Sequence, residues 1–274
     1  MNPEAPLRLL VIGAHPDDAE YKAGGLAALY RTLGHNVKFI SVTNGEAGHH
    51  MMSGPALVER RKAEAEAAAT PLGIVSEVWD HPDGWLEPTL ERRGQVIRAI
   101  RDYRPDLLLT HRLNDYHPDH RATSLLVQDA AYLLTVPAIC PDTPHLRRDP
   151  VIAHLSDDFT KPSPFQASVA IDIARFWNAK IAMLHAHASQ FYEWLPYNMQ
   201  IEPQVPDSSA ERFKWLSHLM AERSVAISNK VRQHLVKRHG PRHGAEARFV
   251  EAFEGSEYGA PLDKAAIERL FPQA

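Results

Sequence analysis

The sequence has a single cysteine, Cys140, in 274 residues. One cysteine cannot form an internal disulfide framework, and it cannot supply the several thiolates of a thiolate-rich zinc site. A metal bound by this chain would therefore have nitrogen and oxygen ligands.

Long apolar runs and basic clusters are also absent from the sequence. The stretch MNPEAPLRLLVIGAH lacks the charged leader, long apolar segment and cleavage site of a secretory signal, and no other run reaches membrane-spanning length. Lys and Arg are scattered and the formal net charge is -4, so no basic stripe can neutralise a phosphate backbone. We expect a cytoplasmic protein with no membrane span and no nucleic-acid partner.

Histidine is the residue type that the sequence has in excess, with 16 residues. Several of them lie close together, such as His117 and His120 or His185 and His187. Such clusters are typical of metal and proton-transfer sites, although most histidines of a globular chain lie at its surface.

Short apolar runs alternate with longer helical segments along the chain. The predicted strands are residues 7–13, 37–43, 74–79, 106–111 and 168–173, and the predicted helices are residues 19–33, 56–73, 90–103, 119–134, 174–188 and 208–237. This alternation predicts an α/β, Rossmann-like fold with a mostly parallel sheet and helices on both faces. We expect one domain over residues 1–274, with the Pro-rich stretch 136–164 as an insertion.

Two groups of His and Asp follow predicted strands. GAHPDDAE comes after the first strand, and THRLNDYHPDHRAT comes at the end of the fourth. Ligands of open parallel sheets bind outside the carboxyl ends of the strands, so we expect these groups to meet at one edge. His15, Asp18 and His120 can then form a three-ligand site with an open position, as in hydrolytic zinc enzymes.

The remaining residues of the two groups have the chemistry of a base and an acid. Zinc lowers the pKa of a bound water to roughly 7, and Asp17 can accept the proton of that water. His117, one helical turn from His120, can stabilise the oxyanion as an imidazolium and protonate the leaving nitrogen. Helix capping is the alternative for Asp17, which has capping-box spacing to Glu20, and capping and ligation can also coexist.

Seven segments carry a resemblance to a known family: AHPDDAE, HPDH, TNGEAG, RKAEAEAAATPLG, HPDGWL, DIARFWNAKIAMLHAHASQ and RFVEAF. They resemble the PIG-L/LmbE-like family of zinc-dependent N-acetylglucosaminyl deacetylases. The resemblance implies one Zn²⁺ per chain and removal of an acyl group, normally acetyl, from the amine of a glucosamine-type sugar or conjugate. The partner would be a small N-acyl amino sugar, and homo-oligomers are common in the family. The resemblance implies the same roles as above: His15, Asp18 and His120 bind zinc, Asp17 is the base, and His117 is the acid.

The resemblance also implies residues that contact substrate. Arg61 of R-x-x-E and Asp83 of D-G-x-L match positions that contact substrate hydroxyls; the alternatives are a solvated helix face for Arg61 and turn formation for Asp83. His187 and Gln190 match an H-x-S-Q segment expected at the cleft mouth. Tyr116 stands where several relatives have arginine, and it either donates to the oxyanion or packs as a wall residue, which we favour.

Other functions fit parts of this pattern. Two histidines and one carboxylate also form the metal site of non-haem iron oxygenases, but that interpretation leaves Asp17 and His117 without roles. A non-catalytic binding protein of the same fold would not need those two residues either. A nucleotide-binding Rossmann domain fits poorly, because Gly24 and Gly25 lie within a predicted helix rather than in the turn after the strand.

Overall fold

The computed structural model describes residues 5–273 of the chain. Within them the strands are β1 (Arg8–Gly13), β2 (Asn36–Thr43), β3 (Val75–His81), β4 (Leu107–Thr110), β5 (Val151–Leu155), β6 (Val169–Asp172) and β7 (Val250–Gly259). They form one sheet in the order β3-β2-β1-β4-β5-β7-β6. In this order the five strands β3, β2, β1, β4 and β5 are parallel to one another, and β7 is antiparallel to its neighbours β5 and β6. The predicted α/β class with a mostly parallel sheet is confirmed.

Helices cover both faces of this sheet. The α-helices are α1 (Asp18–Thr32), α2 (Gly54–Ala69), α3 (Leu90–Tyr103), α4 (Pro118–Ala131), α5 (Trp177–Ala186), α6 (Leu195–Met199), α7 (Ser209–Lys230), α8 (Arg232–His239), α9 (Pro241–Glu246) and α10 (Lys264–Leu270). Leu9 and Val11 of β1 belong to the core with α1, α5 and α7, whereas Leu10 and Ile12 belong to the core with α3 and α4. Burial on both faces explains why β1 is a continuous apolar run.

The order of strands reverses between β1 and β4. Strand β1 pairs with β2 on one side and with β4 on the other. The chain leaves β1 through α1 toward one face and leaves β4 through α4 toward the opposite face. A crevice opens at the carboxyl ends of such a strand pair, so the two motif loops lie at the same edge.

The second half of the chain differs from the sequence prediction. The Pro-rich stretch 136–164 contains β5, which pairs with β4 inside the sheet. Strand β7 was not predicted either, since its pairing with β5 and β6 depends on contacts distant in sequence. The helix predicted over 208–237 is interrupted at Val231, which packs with Leu235 and Ala170 in a third apolar cluster.

Two further expectations concern the whole chain. Among residues 5–273, no helix combines the length and apolarity that crossing a membrane requires. The single domain predicted over 1–274 includes residues 1–4 and 274, which lie outside the described residues, and it stays a prediction.

Candidate active site

The carboxylate of Asp18 is held by the loop that precedes α1. Its Oδ2 accepts the backbone N–H of Ala14 at 3.0 Å and that of His15 at 2.7 Å, and lies 3.2 Å from Nε2 of His111. Gly13 leaves room for this arrangement, because a Cβ there would lie 2.7 Å from the Cβ of Asp18. Since Oδ2 is fully engaged, Oδ1 is the oxygen left to face the second motif.

The side chains of His15, Asp18 and His120 converge on one point. Nε2 of His120 lies 3.2 Å from Nδ1 of His15 and 3.4 Å from Oδ1 of Asp18. Nδ1 of His15 lies 3.5 Å from Oδ2 of Asp18. Ligand atoms around a tetrahedral zinc are about 3.3 Å apart, because each lies about 2.0–2.1 Å from the ion. The two distances to Asp18 involve different oxygens, so a single oxygen facing both histidines would need a small rotation of this carboxylate. Among the described residues, the groups whose ligand atoms all lie within 4.8 Å of one another include His15 with His117 and His120, and Asp18 with His111 and His120.

The ring nitrogens that face away from this point are also held. Nε2 of His15 lies 3.0 Å from Oδ1 of Asp83 and 3.3 Å from Oδ2 of Asp119. Nδ1 of His120 lies 2.9 Å from Oδ1 of Asp115. Metal-binding histidines usually donate their second ring N–H to such a carboxylate, which fixes the ring. This is the arrangement expected of a metal centre.

The ionisation of His15 is governed by the same carboxylates. Burial alone would lower the pKa of His15, but hydrogen bonds to Asp119, Asp18 and Asp83 raise it well above 6.5. A metal ion binds only the neutral ring, so a proton and a metal ion compete for this histidine.

Asp17 does not act as a helix cap. It precedes α1, but its side chain makes no capping hydrogen bond, so the capping-box interpretation is wrong. Its φ of 135° is unusual for a residue with a side chain, and such backbone strain is often found at functional sites. The carboxylate lies 3.4 Å from the guanidinium of Arg61. Burial raises the pKa of Asp17 to about 6, although the charge of Arg61 opposes the shift.

His117 lies beside the converging ligands. Its ring meets that of His15 edge to face, with 4.5 Å between centroids. Nδ1 accepts the backbone N–H of Asp119 at 3.2 Å, which makes His117 the cap of α4 and leaves Nε2 to carry the ring proton. Burial lowers the pKa of His117 and the neighbouring His15 lowers it further. Both effects favour the neutral ring, and the imidazolium expected from the sequence stays a prediction.

Arg61 and Asp83 both point into the site. Arg61 is only 2% exposed, which rules out a solvated helix face, and its guanidinium donates to the carbonyl of Pro16 at 2.5 Å. Asp83 precedes Gly84 in a turn, but its carboxylate also contacts His15. Burial would raise the pKa of Asp83, yet the hydrogen bond and charge of His15 lower it to about 2.

Three other predicted residues lie elsewhere than expected. Tyr116 is 66% exposed, so it is not a buried wall residue; its ring edge contacts those of His117 and His120. His187 and Gln190 were expected at the cleft mouth, but both are buried. His187 lies 3.3 Å from Glu20, and Gln190 donates to the carbonyl of Gly48. They belong to the wall behind the site because α5 and the π-helical turn Ser189–Trp194 pack onto it.

Sequence reasoning missed three residues of the site. His111 stacks on His120 with 3.9 Å between centroids and contacts Asp18. Asp115 and Asp119 support the two histidines, and Asp119 also accepts the N–H groups of Gly84 and Leu86. A signal existed for His111, since it is the residue directly after β4. For the two aspartates the signal was weaker, because their contacts depend on the rotation of the histidine rings.

Comparison with known proteins gives a match to one family model. Residues 10–131 match the family model described as PIG-L: GlcNAc-PI de-N-acetylase. The first half of the chain thus resembles PIG-L proteins, and the match covers 122 of the 274 residues. The matched residues include both motifs and every residue that converges at the site, and the predicted resemblance is confirmed. The match indicates an enzyme that acts on an N-acetyl amide.

Relatives of this chain differ in their reactions. It is 28% identical over 199 residues to a 4-oxalmesaconate hydratase of Pseudomonas putida, covering 69% of this chain and 76% of that protein. It is also 28% identical over 171 residues to a 1D-myo-inositol 2-acetamido-2-deoxy-alpha-D-glucopyranoside deacetylase of Catenulispora acidiphila, covering 52% of this chain and 53% of that protein. The chain thus spans about half the length of that deacetylase.

Solved structures share the fold. GalB, the 4-carboxy-2-hydroxymuconate hydratase of Pseudomonas putida, matches with a TM-score of 0.71 and 19% identity over 94% of this chain and 99% of that one. The N,N'-diacetylchitobiose deacetylase of Pyrococcus horikoshii matches with a TM-score of 0.69 and 20% identity over 91% of this chain and 83% of that one. At this identity the likeness shows the fold alone.

Proposed function

We propose that this chain is a zinc-dependent N-deacetylase that removes an acetyl group from the amine of a glucosamine-type sugar or conjugate. The observation that carries the proposal is the meeting of His15, Asp18 and His120, whose side-chain nitrogen and oxygen atoms make contacts of 3.2 to 3.5 Å. The carboxylate of Asp17 lies beside them and makes no capping hydrogen bond to α1. Zinc bound there would polarise the amide carbonyl and make a water molecule more acidic.

The residues of the chain then divide the proton transfers between them. Asp17 in its ionised form takes a proton from the attacking water, for which a pKa near 6 is well placed. His117 directs the N–H of Nε2 at the carbonyl oxygen as negative charge develops there. The proton that Asp17 took from water then passes to the leaving nitrogen, which restores the ionised base. Water is consumed, the C–N bond breaks, and the products are a carboxylic acid and an amine.

Arg61 and the aspartates have supporting roles in this scheme. Arg61 is buried next to Asp17, and its Nε has no hydrogen-bond partner among the described residues, so it can hold both the base and a substrate oxygen. Asp83 and Asp119 keep the ring of His15 oriented, as Asp115 does for His120. Tyr116, exposed at the edge of the site, is placed to contact the substrate rather than the core.

Hydration of a carbon–carbon double bond is the second candidate. It is favoured by the relative named as a hydratase, which matches 69% of this chain and 76% of its own length. The same base would take a proton from water while the oxygen attacks an alkene carbon, and an acid would protonate the other carbon. The family match supports amide hydrolysis over oxygenation, and the presence of Asp17 and His117 supports catalysis over binding alone. A cytoplasmic location and a homo-oligomer stay predictions.

A paired assay tests the proposal. Purified protein is incubated with N-acetylglucosamine, its conjugates and N,N'-diacetylchitobiose, with added zinc and with chelator, and free amine is measured. We expect zinc-dependent amine release that is lost in His120→Ala and in Asp17→Asn. In parallel, 4-oxalmesaconate is followed by the absorbance of its conjugated double bond. Zinc-dependent loss of that absorbance, without amine release from any amide, would replace the deacetylase proposal by the hydratase.

A further inference from the structure

A cavity with a largely apolar wall lies between α1, α5, α7 and the ends of β5 and β7, and shares no lining residue with the site. It has a volume of about 40 Å³. A water molecule needs roughly 10–15 Å³ by the same measure, so the cavity has room for a small oxyanion group. Three cationic side chains line it: Lys22 of α1, Lys180 of α5 and Arg223 of α7. We call it the Lys22–Arg223 pocket.

Only one of these cations has its charge balanced locally. Lys180 donates to Oε1 of Glu251 at 2.7 Å, and both are buried. The same carboxylate also accepts the backbone N–H groups of Gly25 and Leu26 at 2.8 Å each. Glu251 is therefore fully engaged and cannot neutralise a second cation.

Lys22 and Arg223 have no carboxylate within salt-bridge distance among residues 5–273. Lys22 donates to the carbonyl of Ser156 at 2.7 Å, and Arg223 donates to the hydroxyl of Tyr21 at 3.1 Å. The nearby carboxylate of Asp158 pairs with Lys230 instead. Lys22, Arg223 and Lys230 thus share the charge of one carboxylate, that of Asp158, which leaves an excess of positive charge beside the Lys180–Glu251 pair.

The ionisation of Tyr21 agrees with this excess charge. Burial alone would raise the pKa of Tyr21, but the charges of Lys22 and Arg223, together with the hydrogen bond from Arg223, lower it. The position of the pocket relates it to the active site. Lys22 lies one helical turn after Asp18 on α1, which separates the two Cα atoms by about 6 Å.

We propose that the Lys22–Arg223 pocket binds an anionic group of the substrate, a phosphate or a carboxylate, one helical turn of α1 away from Asp18. The inference rests on the proposed function in one respect, since the anion belongs to the substrate of that site. Planar or tetrahedral oxyanions form strong charge-assisted hydrogen bonds with Arg and Lys, and the hydroxyl of Tyr21 adds a further donor. A neutral amino sugar would leave these charges unmatched.

Direct binding of inorganic phosphate tests the pocket without any turnover. Phosphate is titrated calorimetrically into the wild-type protein and into Lys22→Gln and Arg223→Gln, each with zinc and after chelation, because phosphate also binds zinc. Lys214→Gln is the matched control, since it removes an exposed positive charge from the same helix, outside the pocket. We expect about tenfold weaker binding in the two pocket variants, with or without zinc, and no change in the control. Equal affinities in all four proteins would overturn the proposal.

Kinetics with matched substrates test whether the anion is part of the substrate. N-acetylglucosamine is compared with its 6-phosphate and with N-acetylmuramic acid, which carries a carboxylate. Arg223→Gln should raise KM about tenfold for the 6-phosphate, for N-acetylmuramic acid or for both, and should leave kcat unchanged. The KM of the neutral N-acetylglucosamine should stay the same. Arg223→Lys, which keeps the charge, should retain most of the affinity. An equal change for neutral and anionic substrates would overturn the assignment.

The two proposals fail in different ways. Absence of amine release from all three sugars, combined with phosphate binding that depends on Arg223, would refute the deacetylase and support the anion pocket. Amine release, combined with phosphate binding that is unchanged in Lys22→Gln and Arg223→Gln, would support the deacetylase and refute the anion pocket.

Discussion

Asp115 lies 2.9 Å from Nδ1 of His120 and thereby turns Nε2 of that ring toward Asp18. Asp115 is buried, which would raise the pKa of its carboxyl, but the hydrogen bond and charge of His120 lower it. An ionised carboxylate behind a metal-binding histidine increases the basicity of the ring and fixes its direction.

Replacing Asp115 by Asn should therefore weaken zinc binding by about 10-fold to 100-fold while leaving the fold intact. The measurement is competition for zinc with a chelator of known affinity. Asp129→Asn is the control, because Asp129 is exposed on α4, the helix that carries His120, and lies 3.6 Å from Arg93. Unchanged affinity in Asp115→Asn would show that the contact does not orient a ligand.

Asp17→Asn separates the base from the ligands. The amide cannot accept a proton from water, so kcat should fall by two or more orders of magnitude. Zinc content should stay at the wild-type level, because Asp18, and not Asp17, faces His15 and His120. Metal analysis and amine release are measured on the same sample. An active Asp17→Asn protein, or one that loses its zinc, would contradict the assigned role.

The pH dependence of the rate should report on Asp17. Burial raises its pKa to about 6. The ionised form is the active base, so kcat/KM should be constant above this pH and should fall tenfold per unit as pH decreases below it.

The charge of Arg61 lowers the pKa of Asp17, so Arg61→Met should move this acid limb to higher pH. Arg61→Lys, which keeps a positive charge, should move it less. A profile that stays flat down to pH 5 would exclude Asp17 as the essential base.

Arg101 should contribute to stability and not to catalysis. It is 1% exposed, and its guanidinium donates to six backbone carbonyls, those of Leu133, Leu134, Val136, Ile139, Cys140 and Thr143. Arg101→Met removes all six hydrogen bonds and leaves the carbonyls of Ile139 and Thr143 without the donor that Arg101 supplies, so the free energy of unfolding should fall by about 3–5 kcal/mol.

Chemical denaturation measures this loss, and Arg98→Met serves as the control. Arg98 is on the same helix but exposed, and it pairs with Asp142 at the surface. The control should unfold as the wild type does. Equal stabilities of the two variants would mean that the carbonyl cluster does not depend on Arg101.

The sequence was sufficient for the parts of the fold and site that depend on local pattern. The apolar run of β1 and the strong helix formers of α2 predicted their elements correctly, and the two His-Pro-Asp segments located His15, Asp18 and His120. The family match then confirmed the resemblance that these segments carry.

The rest depends on contacts between residues distant in sequence. Strand β5 is short and lies in a Pro-rich stretch, and β7 becomes a strand through antiparallel partners far along the chain. His187 has the composition of a surface residue, yet packing of α5 against α1 places it at 0% exposure. No local pattern distinguishes such a buried histidine from an exposed one.

The adjacency of β1 and β4 has a consequence for rigidity. Their backbones are paired from Leu9 with Leu107 to Ile12 with Thr110, directly before the two motif loops. The separation of the loops is thus set by the spacing of neighbouring strands, about 4.8 Å, and not by the loops themselves. Moving one motif away from the other would require breaking the pairing of two buried strands at the centre of the sheet, so the site is as rigid as these strands.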